Sequence, residues 1–453
     1  MLREVSNLSL LNFVLLPIFL AFIYGFAYRY RNRHYGRNHP WRKYFIPALT
    51  VKIFGAIFIG LIYAYYYHGG DTFNYFYHSQ VINSAIDESF VKWFKLLLHI
   101  PSATDGEYYQ YISQMLWYNA IANYTVSSIV AFLSVFTLNT YLPTAVLFAV
   151  ISFTGLWALF RTFASLYPQY IRSVAIAVLF IPSVAVWGSG IFKDTICMFA
   201  LGWLAYSSFR FLVQKDFTFK NIAFTILSFL LIFTIKVYIV MAFTPALLMW
   251  IFFNYSARLK NKSKKIIATF VLLIAIAGSS FLFLQKFSDE LGRYSLENIV
   301  ATSQSTSWYI NRVTDEEGSA YSLGSFSPTI SGMLSKFPAA VNVTLFRPYP
   351  WESKKVIVLL SALEALIFLF ITLKIIFSVG FKKIWSTISS DPTIQFCLIF
   401  TIIFAFAVGI SSYNFGALSR YKIPCMPFFA LALFLIYYKN KPPKKRIIKF
   451  LNI

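Results

Sequence analysis

Two stretches of this sequence place an acid where chemistry at a membrane boundary would need one. In His68-Gly69-Gly70-Asp71-Thr72 a carboxylate follows directly on a long apolar run. The two glycines permit a sharp backbone turn that would hold the acid at the bilayer surface. In Pro182-Ser183-Val184-Ala185-Val186-Trp187-Gly188-Ser189-Gly190-Ile191-Phe192-Lys193-Asp194 a second acid, with a lysine beside it, closes a turn between two further apolar runs. Fixed cations recur in comparable places. Lys236 interrupts the apolar stretch from Ile222 to Phe253, Arg347 sits in Leu345-Phe346-Arg347-Pro348-Tyr349-Pro350-Trp351-Glu352, and Arg420-Tyr421-Lys422 precedes the last apolar run. A carboxylate in such a position accepts the proton of an attacking hydroxyl or holds a divalent cation, while arginine and lysine neutralise a departing phosphate. Asp71 and Asp194 are therefore the candidate catalytic acids. Lys193, Lys236, Arg347, Arg420, Tyr421 and Lys422 are the candidate substrate contacts, and Asp71 is the candidate ligand for a divalent cation such as Mg or Mn. Tyr65, Tyr66, Tyr67, Phe73, Tyr75, Phe76 and Tyr77 surround Asp71 with rings that could stack on sugar faces or anchor the interface.

The elements that must position these residues are membrane spans. Of the 453 residues, 58% are hydrophobic and 13% charged, and the mean hydropathy is +0.63, which excludes an ordinary soluble core. Apolar runs near the ~20 residues needed to cross hydrocarbon recur along the chain. The expected fold is an all-α polytopic integral membrane protein, one transmembrane domain over 1–453. About eleven spans are predicted, near 8–28, 44–67, 143–163, 171–187, 190–211, 220–235, 238–254, 266–284, 356–379, 393–411 and 423–438. The first run, Leu8 to Tyr28, is too long for a signal-peptide core and lacks a small-residue cleavage site, so it reads as a retained helix. The net charge of +23 follows the positive-inside pattern: Arg29 to Lys43, Arg258 to Lys265, Lys382-Lys383 and Lys439 to Lys449 should face the cytoplasm. This places the N-terminus outside and the C-terminus inside a plasma membrane. Nucleic acid is excluded as a partner, because no aromatic stacking platform accompanies the basic loops; membrane lipids are the expected neighbours.

The segment 68–142 is predicted to be the first outer loop, with interfacial helices. Val126 to Leu138 is about thirteen residues, too short to span, and Ser89 to Ile100 sets Lys92 and Lys95 among Trp93, Phe94 and leucines. The segment 286–355 is the second large outer loop and a candidate lid. Of seventeen Asp and Glu, only Asp216 and Asp391 fall in predicted cytoplasmic loops, Glu364 lies inside a helix, and the rest face outward. Cys197, Cys397 and Cys425 sit in apolar segments without disulfide or zinc-ligand spacing. No two-half repeat of the transporter type is evident. Each candidate also has a plain structural reading. Asp71 could cap a helix end, Lys193-Asp194 could be an adjacent ion pair opening a helix, and Arg347 and Arg420 could contact headgroups. Lys236 could snorkel from a short outer turn, Glu364 could be protonated or paired in the bundle interior, and His68 and His78 could anchor the interface.

With these features the sequence resembles the GT-C-type membrane glycosyltransferases. The resemblance rests on an acidic motif starting the first outer loop directly after a helix, interfacial helices in that loop, a Pro-Ser…Lys-Asp turn between middle helices, and a late outer loop. It implies transfer of a sugar from a polyprenyl-phosphate or pyrophosphate donor on the extracytoplasmic face, in surface glycan assembly at a bacterial inner membrane. Members often carry two adjacent acids in the first loop, whereas this chain has Gly-Gly-Asp-Thr; Asp194, or more remotely Asp87 and Glu88, could supply the second. The chain also looks like O-antigen-type polysaccharide polymerases, which use outer-loop arginines, and a lipid-linked glycan flippase is the third reading.

Overall fold

The computed structural model describes residues 8–256, 320–327, 329–353 and 355–441. The chain runs through α1 (Leu10–His34), α2 (Arg42–Tyr65), α3 (Asp71–Ser84), α4 (Phe90–Leu97), α5 (Tyr109–Ile112), α6 (Ile121–Phe136) and α7 (Tyr141–Leu166). It continues through α8 (Ile171–Leu179), α9 (Pro182–Val186), α10 (Lys193–Ser208) and α11 (Phe219–Ser256). Then come α12 (Ile330–Ser335), α13 (Phe337–Phe346), α14 (Val356–Val379), α15 (Phe381–Ser390), α16 (Pro392–Ser412), α17 (Phe415–Tyr421) and α18 (Met426–Asn440). Among the described residues there is no β-strand, only an isolated bridge between Ala320 and Asn414.

Among the described residues eight helical segments are long and apolar enough to cross a membrane, namely 10–34, 42–65, 141–166, 193–213, 219–255, 356–379, 392–412 and 415–440. The chain is an all-helical, multi-pass membrane protein. Its helices depart from the expected spans at two places. The run 171–187 is not one helix: the chain leaves α8 before Pro182, whose ring disfavours helical backbone at Ile181 and whose missing N–H suits the first position of α9. The runs 220–235 and 238–254 join in α11, yet they remain two helical arms, because Lys236 between them is non-helical (φ −147°, ψ 78°). The expected span 266–284, the basic segment 258–265 and most of the candidate lid lie outside the described residues.

The chain divides into two compact units, the first made of 1–166, 184–207 and 219–236, the second of 167–183, 208–218 and 237–453. In the first unit α7 is the spine. The side chain of Asn12 accepts from the N–H of Leu142 (2.9 Å), and the Trp157 indole donates to the Tyr35 hydroxyl (2.7 Å), pinning α1 to α7 near both ends. α10 crosses α7 where Gly155 faces Gly202, backbone against backbone, a crossing that only residues without a side chain allow.

Helices α3 to α6 build a small body of their own. Ile82, Trp93, Leu96, Tyr108, Tyr118 and Tyr124 share one buried core, so the segment 68–142 holds more than isolated interfacial helices. Asn83 is its polar hub. Its amide nitrogen donates to Ala131 O (3.0 Å), Ser134 Oγ (2.9 Å) and Asn139 Oδ1 (2.8 Å), and its oxygen accepts from the Trp93 indole (2.8 Å). α4 is capped by Ser89 and leaves Phe90, Phe94 and Leu98 exposed. At its start Glu88 pairs with Lys92 and accepts from Tyr111 (2.7 Å); the Lys92 hydrogen bond, then that of Tyr111, hold the carboxyl below its usual range.

In the second unit α16 packs against α13 and α18, while α18 also packs against α8 and α14. Asp391 starts α16 as its N-cap, accepting from the N–H groups of Thr393 (2.9 Å) and Ile394 (3.3 Å), which follow Pro392 at the first helical position. The same carboxylate accepts from Tyr167 (2.8 Å) and pairs with Lys439. Phe243, Phe396, Phe400 and Phe428 meet edge to face in the core beside it.

The buried ring of His78 in α3 sets a pH limit on the first unit. It packs edge-on against Trp117 (5.3 Å), its Nδ1 has no hydrogen-bond partner, and burial pushes the imidazole down to about 4 from its usual 6.5. Between these values the unfolded chain binds a proton that the folded one refuses, so stability falls as pH drops from 6.5 towards 4 and is level outside that window. Burial also lowers His99, partly offset by its bond to the Tyr118 carbonyl, and acts in the same direction. Glu88, held below its usual range, adds a loss of the same sign that begins as pH falls through the ordinary carboxylate range. Thermal unfolding in detergent should show a loss of about 3 kcal/mol across the His78 window, and His78→Phe should remove most of that slope; an unchanged slope in the variant would assign it elsewhere.

Candidate functional site

One face of α2 organises the candidate residues of the first unit. Lys52, Gly55, Ile59 and Tyr63 follow at intervals of three and four, which aligns them along one side of the helix. The amine of Lys52, buried in the middle of the span, donates to the carbonyls of Gly188 and Val184 (3.3 Å to the latter). Ser152 of α7 donates to the same Gly188 carbonyl (3.1 Å). Gly55 lets the backbone at Ala185 and Val186 lie directly on the helix, where any side chain would collide. Ile59 packs under Gly190. Tyr63 meets Phe192 edge-on, with ring centroids 5.5 Å apart.

Tyr63 also supports the other candidate loop. Its carbonyl accepts from Gly69 N (2.9 Å), and a Cβ on Gly70 would fall 2.9 Å from its ring. His68, Gly69 and Gly70 have φ of 52°, 139° and 118°, so the turn after α2 is made from three consecutive left-handed residues, two of them glycine. The turn delivers Asp71 as the first residue of α3, half-buried at the positive end of the helix dipole. Asp71 thus opens a helix and does not cap the end of one. Thr72 bonds the Tyr141 hydroxyl (2.6 Å) and Phe73 stacks on the same ring (4.4 Å), which locks the first turn of α3 to α7.

Asp194 lies in the first turn of α10 and is 3% exposed. It accepts from Lys236, itself 7% exposed, at 2.5 Å. The structure therefore pairs Asp194 with a lysine 42 residues away, and the neighbouring Lys193 is half-buried beside it at the helix start. Asp71, Lys193, Asp194 and Lys236 all belong to the first unit. The chain of contacts from Gly70 through Tyr63 to Phe192 joins the Asp71 turn to the residue preceding Lys193.

Arg347, Arg420, Tyr421 and Lys422 belong to the second unit. Arg347 grips Glu352 with Nε and Nη2 (Nε to both oxygens 3.1 Å) and lies over the Phe415 ring (5.4 Å). Burial alone would raise the Glu352 carboxyl, but the Arg347 bond and the Tyr349 N–H (2.8 Å) outweigh it and hold it below the usual range. Tyr321 supports this end: its N–H donates to Tyr413 O (3.0 Å), its hydroxyl to Gly409 O (2.9 Å), and its ring lies against Phe415. Arg420 and Tyr421 end α17, both half-buried. Lys422 is wholly buried, with no hydrogen-bond partner for its amine, in the field of Glu364. Glu364 in turn accepts from Ser183 N (2.7 Å) with one oxygen and leaves the other unpartnered.

Sequence reasoning gave Lys52 no role in the site. Its signal was present, a single lysine in the middle of the span predicted over 44–67, but its partners are backbone carbonyls and carry no sequence mark. His78 is buried against Trp117, and His68 is exposed. Among the described residues no three His, Cys, Asp or Glu side chains gather as a metal-ligand set.

No known protein family, curated protein or solved structure matches the chain.

The Asp194–Lys236 pair should behave as a buried charge pair. Lys236→Ala, which strands the carboxylate, is expected to cost about 3–5 kcal/mol in denaturant unfolding, whereas the double substitution Lys236→Met with Asp194→Leu should cost clearly less. Equal losses from the two would mean that packing, not charge, dominates there.

Proposed function

We propose that this protein is a membrane glycosyltransferase that takes a sugar from a polyprenyl-phosphate or pyrophosphate donor on the extracytoplasmic face, in surface glycan assembly. The observation that carries this reading is the placement of Asp71. A strained, glycine-dependent turn fixes a half-buried acid at the start of a helix, one aromatic ring away from the segment that leads into Lys193 and the Asp194–Lys236 pair. A turn of this kind is kept where an acid must be held in a set position at the end of a span.

In this reading an acceptor hydroxyl attacks the anomeric carbon, the bond from that carbon to the phosphate oxygen breaks, and Asp71 takes the hydroxyl proton. The phosphate departs with the electron pair and is neutralised by Lys193. Asp194 serves through Lys236, setting the position of the α10 start. Alternatively, Asp71 would act as the protein ligand of a divalent cation brought in with the donor phosphate, in place of taking the proton. The topology belongs to the same proposal: basic loops on the cytoplasmic side of a bacterial inner membrane, with the C-terminus inside and the 68–142 body outside.

A polymerase reading is favoured by one separate feature: Arg347, whose fork holds the Glu352 carboxylate, lies over Phe415 in the helix that also carries Arg420, and a pyrophosphate would take the place of that carboxylate. Purified protein in liposomes with a polyprenyl-phosphate hexose should separate the two. The first reading expects Asp71→Asn to lower the transfer rate by at least about a hundredfold with unfolding unchanged, and Arg420→Ala to act weakly. Full activity in Asp71→Asn together with loss in Arg420→Ala, insensitive to chelator, would replace it with the polymerase.

A further inference from the structure

A second feature of the first unit lies apart from Asp71. Helices α1 and α7 run side by side, joined near their ends by the Asn12–Leu142 and Tyr35–Trp157 bonds, yet α1 buries only Asn12 and Ala27. Between them is a groove of about 560 Å3, a size typical of ligand sites. One wall is a face of α1 from Phe19 to Tyr30, and the other is a stripe of α7 from Leu147 through Val150, Thr154 and Trp157 to Arg161. At 1.5 Å per residue that stripe is about 21 Å long, more than half the ~30 Å of a hydrocarbon core.

The apolar stripe ends on a guanidinium. Arg161 donates to the Tyr206 hydroxyl (2.5 Å) and lies over its ring (4.5 Å), and among the described residues no carboxylate pairs with it. Trp157, one turn before it, bonds Tyr35 in the basic segment that follows α1. The groove thus runs along apolar helix faces and finishes, at the basic end of the helices, on a cation that no carboxylate among the described residues pairs with. That is the charge and polarity profile of an amphiphile with an anionic head.

We propose that this groove is a specific site for one anionic phospholipid of the bilayer, its acyl chain between α1 and α7 and its phosphate on Arg161. The lipid completes the contact that α1 alone makes poorly. The site does not depend on the transfer reading, since none of the residues proposed for transfer lines it.

Native mass spectrometry of the full chain, released from nanodiscs of equal phosphatidylglycerol and phosphatidylcholine, tests this. The intact protein should retain one phosphatidylglycerol in preference to phosphatidylcholine. Arg161→Gln should cut that retention about tenfold and leave phosphatidylcholine unchanged. Val150→Trp, which fills the groove and keeps the charge, should cut it as well, and carries the test if Arg161→Gln does not fold. Equal retention of the two lipids by the intact protein, retention untouched by either variant, or a polyprenyl phosphate held in place of the phospholipid would each overturn the proposal.

Discussion

A charge buried in an apolar interior must be met by an opposite charge or by hydrogen bonds, and the candidate site is arranged around two places where this is done. At the first, Asp194 meets Lys236. The lysine reaches it from the one residue of α11 that is not helical, and a helix broken inside an apolar run leaves backbone groups to be satisfied by other means. A charged contact made at the break ties the first arm of α11 to the start of α10. At the second, Lys52 pairs with no acid among the described residues and instead donates to two carbonyls of the segment before Gly190. A turn whose carbonyls would otherwise point at apolar neighbours gains its donor from the helix beneath it. The position of Lys193 and Asp194 follows from both.

The same helix that supplies Lys52 also supplies Tyr63, and this links two loops far apart in sequence. The face from Lys52 to Tyr63 has the spacing of a buried stripe, but its residues are a cation, a glycine, a branched aliphatic and a ring, each matched to a different part of the turn above it. A substitution on this face would move the start of α10 and the Asp71 turn together. In the second unit the corresponding polar interior is less complete: Glu364 bonds one backbone N–H, and the amine of Lys422 bonds nothing. Lys422, one of the candidate substrate contacts, is wholly buried.

What was legible in the sequence divides along physical lines. The long apolar runs were readable because burying apolar surface in hydrocarbon depends on composition alone, and α2, α7, α14, α16 and α18 fall close to their expected bounds. Pro182 carried its own warning of the break after α8, and the span over 171–187 ignored it. The turn at Gly69-Gly70 was readable because only glycine adopts its dihedrals freely, and Lys236 was readable as a break because a charge stood alone in an apolar run. Partners were not readable. That Asp194 answers Lys236, that Arg347 answers Glu352, and that a tyrosine two turns below the first loop also touches the second are outcomes of packing, which no local pattern encodes. The aromatic core of the 68–142 segment was hidden for the same reason, since its tyrosines are scattered at no fixed period.

The pairing of Asp194 bears directly on how acids could divide their work in the proposed reaction. A sequence with two separated aspartates suggests a shared metal or a shared proton. Once one of them is neutralised by a lysine and closed off from solvent, the two are no longer equivalent. A carboxylate held by an ammonium in this way is a fixed part of the packing, because removing either partner would strand the other charge in an apolar interior. Asp71, half-buried at a helix start, is the more accessible of the two. The reaction proposed above therefore needs only one working acid, and the departure from a two-acid motif is consistent with chemistry in which the second carboxylate holds the scaffold while cations meet the phosphate.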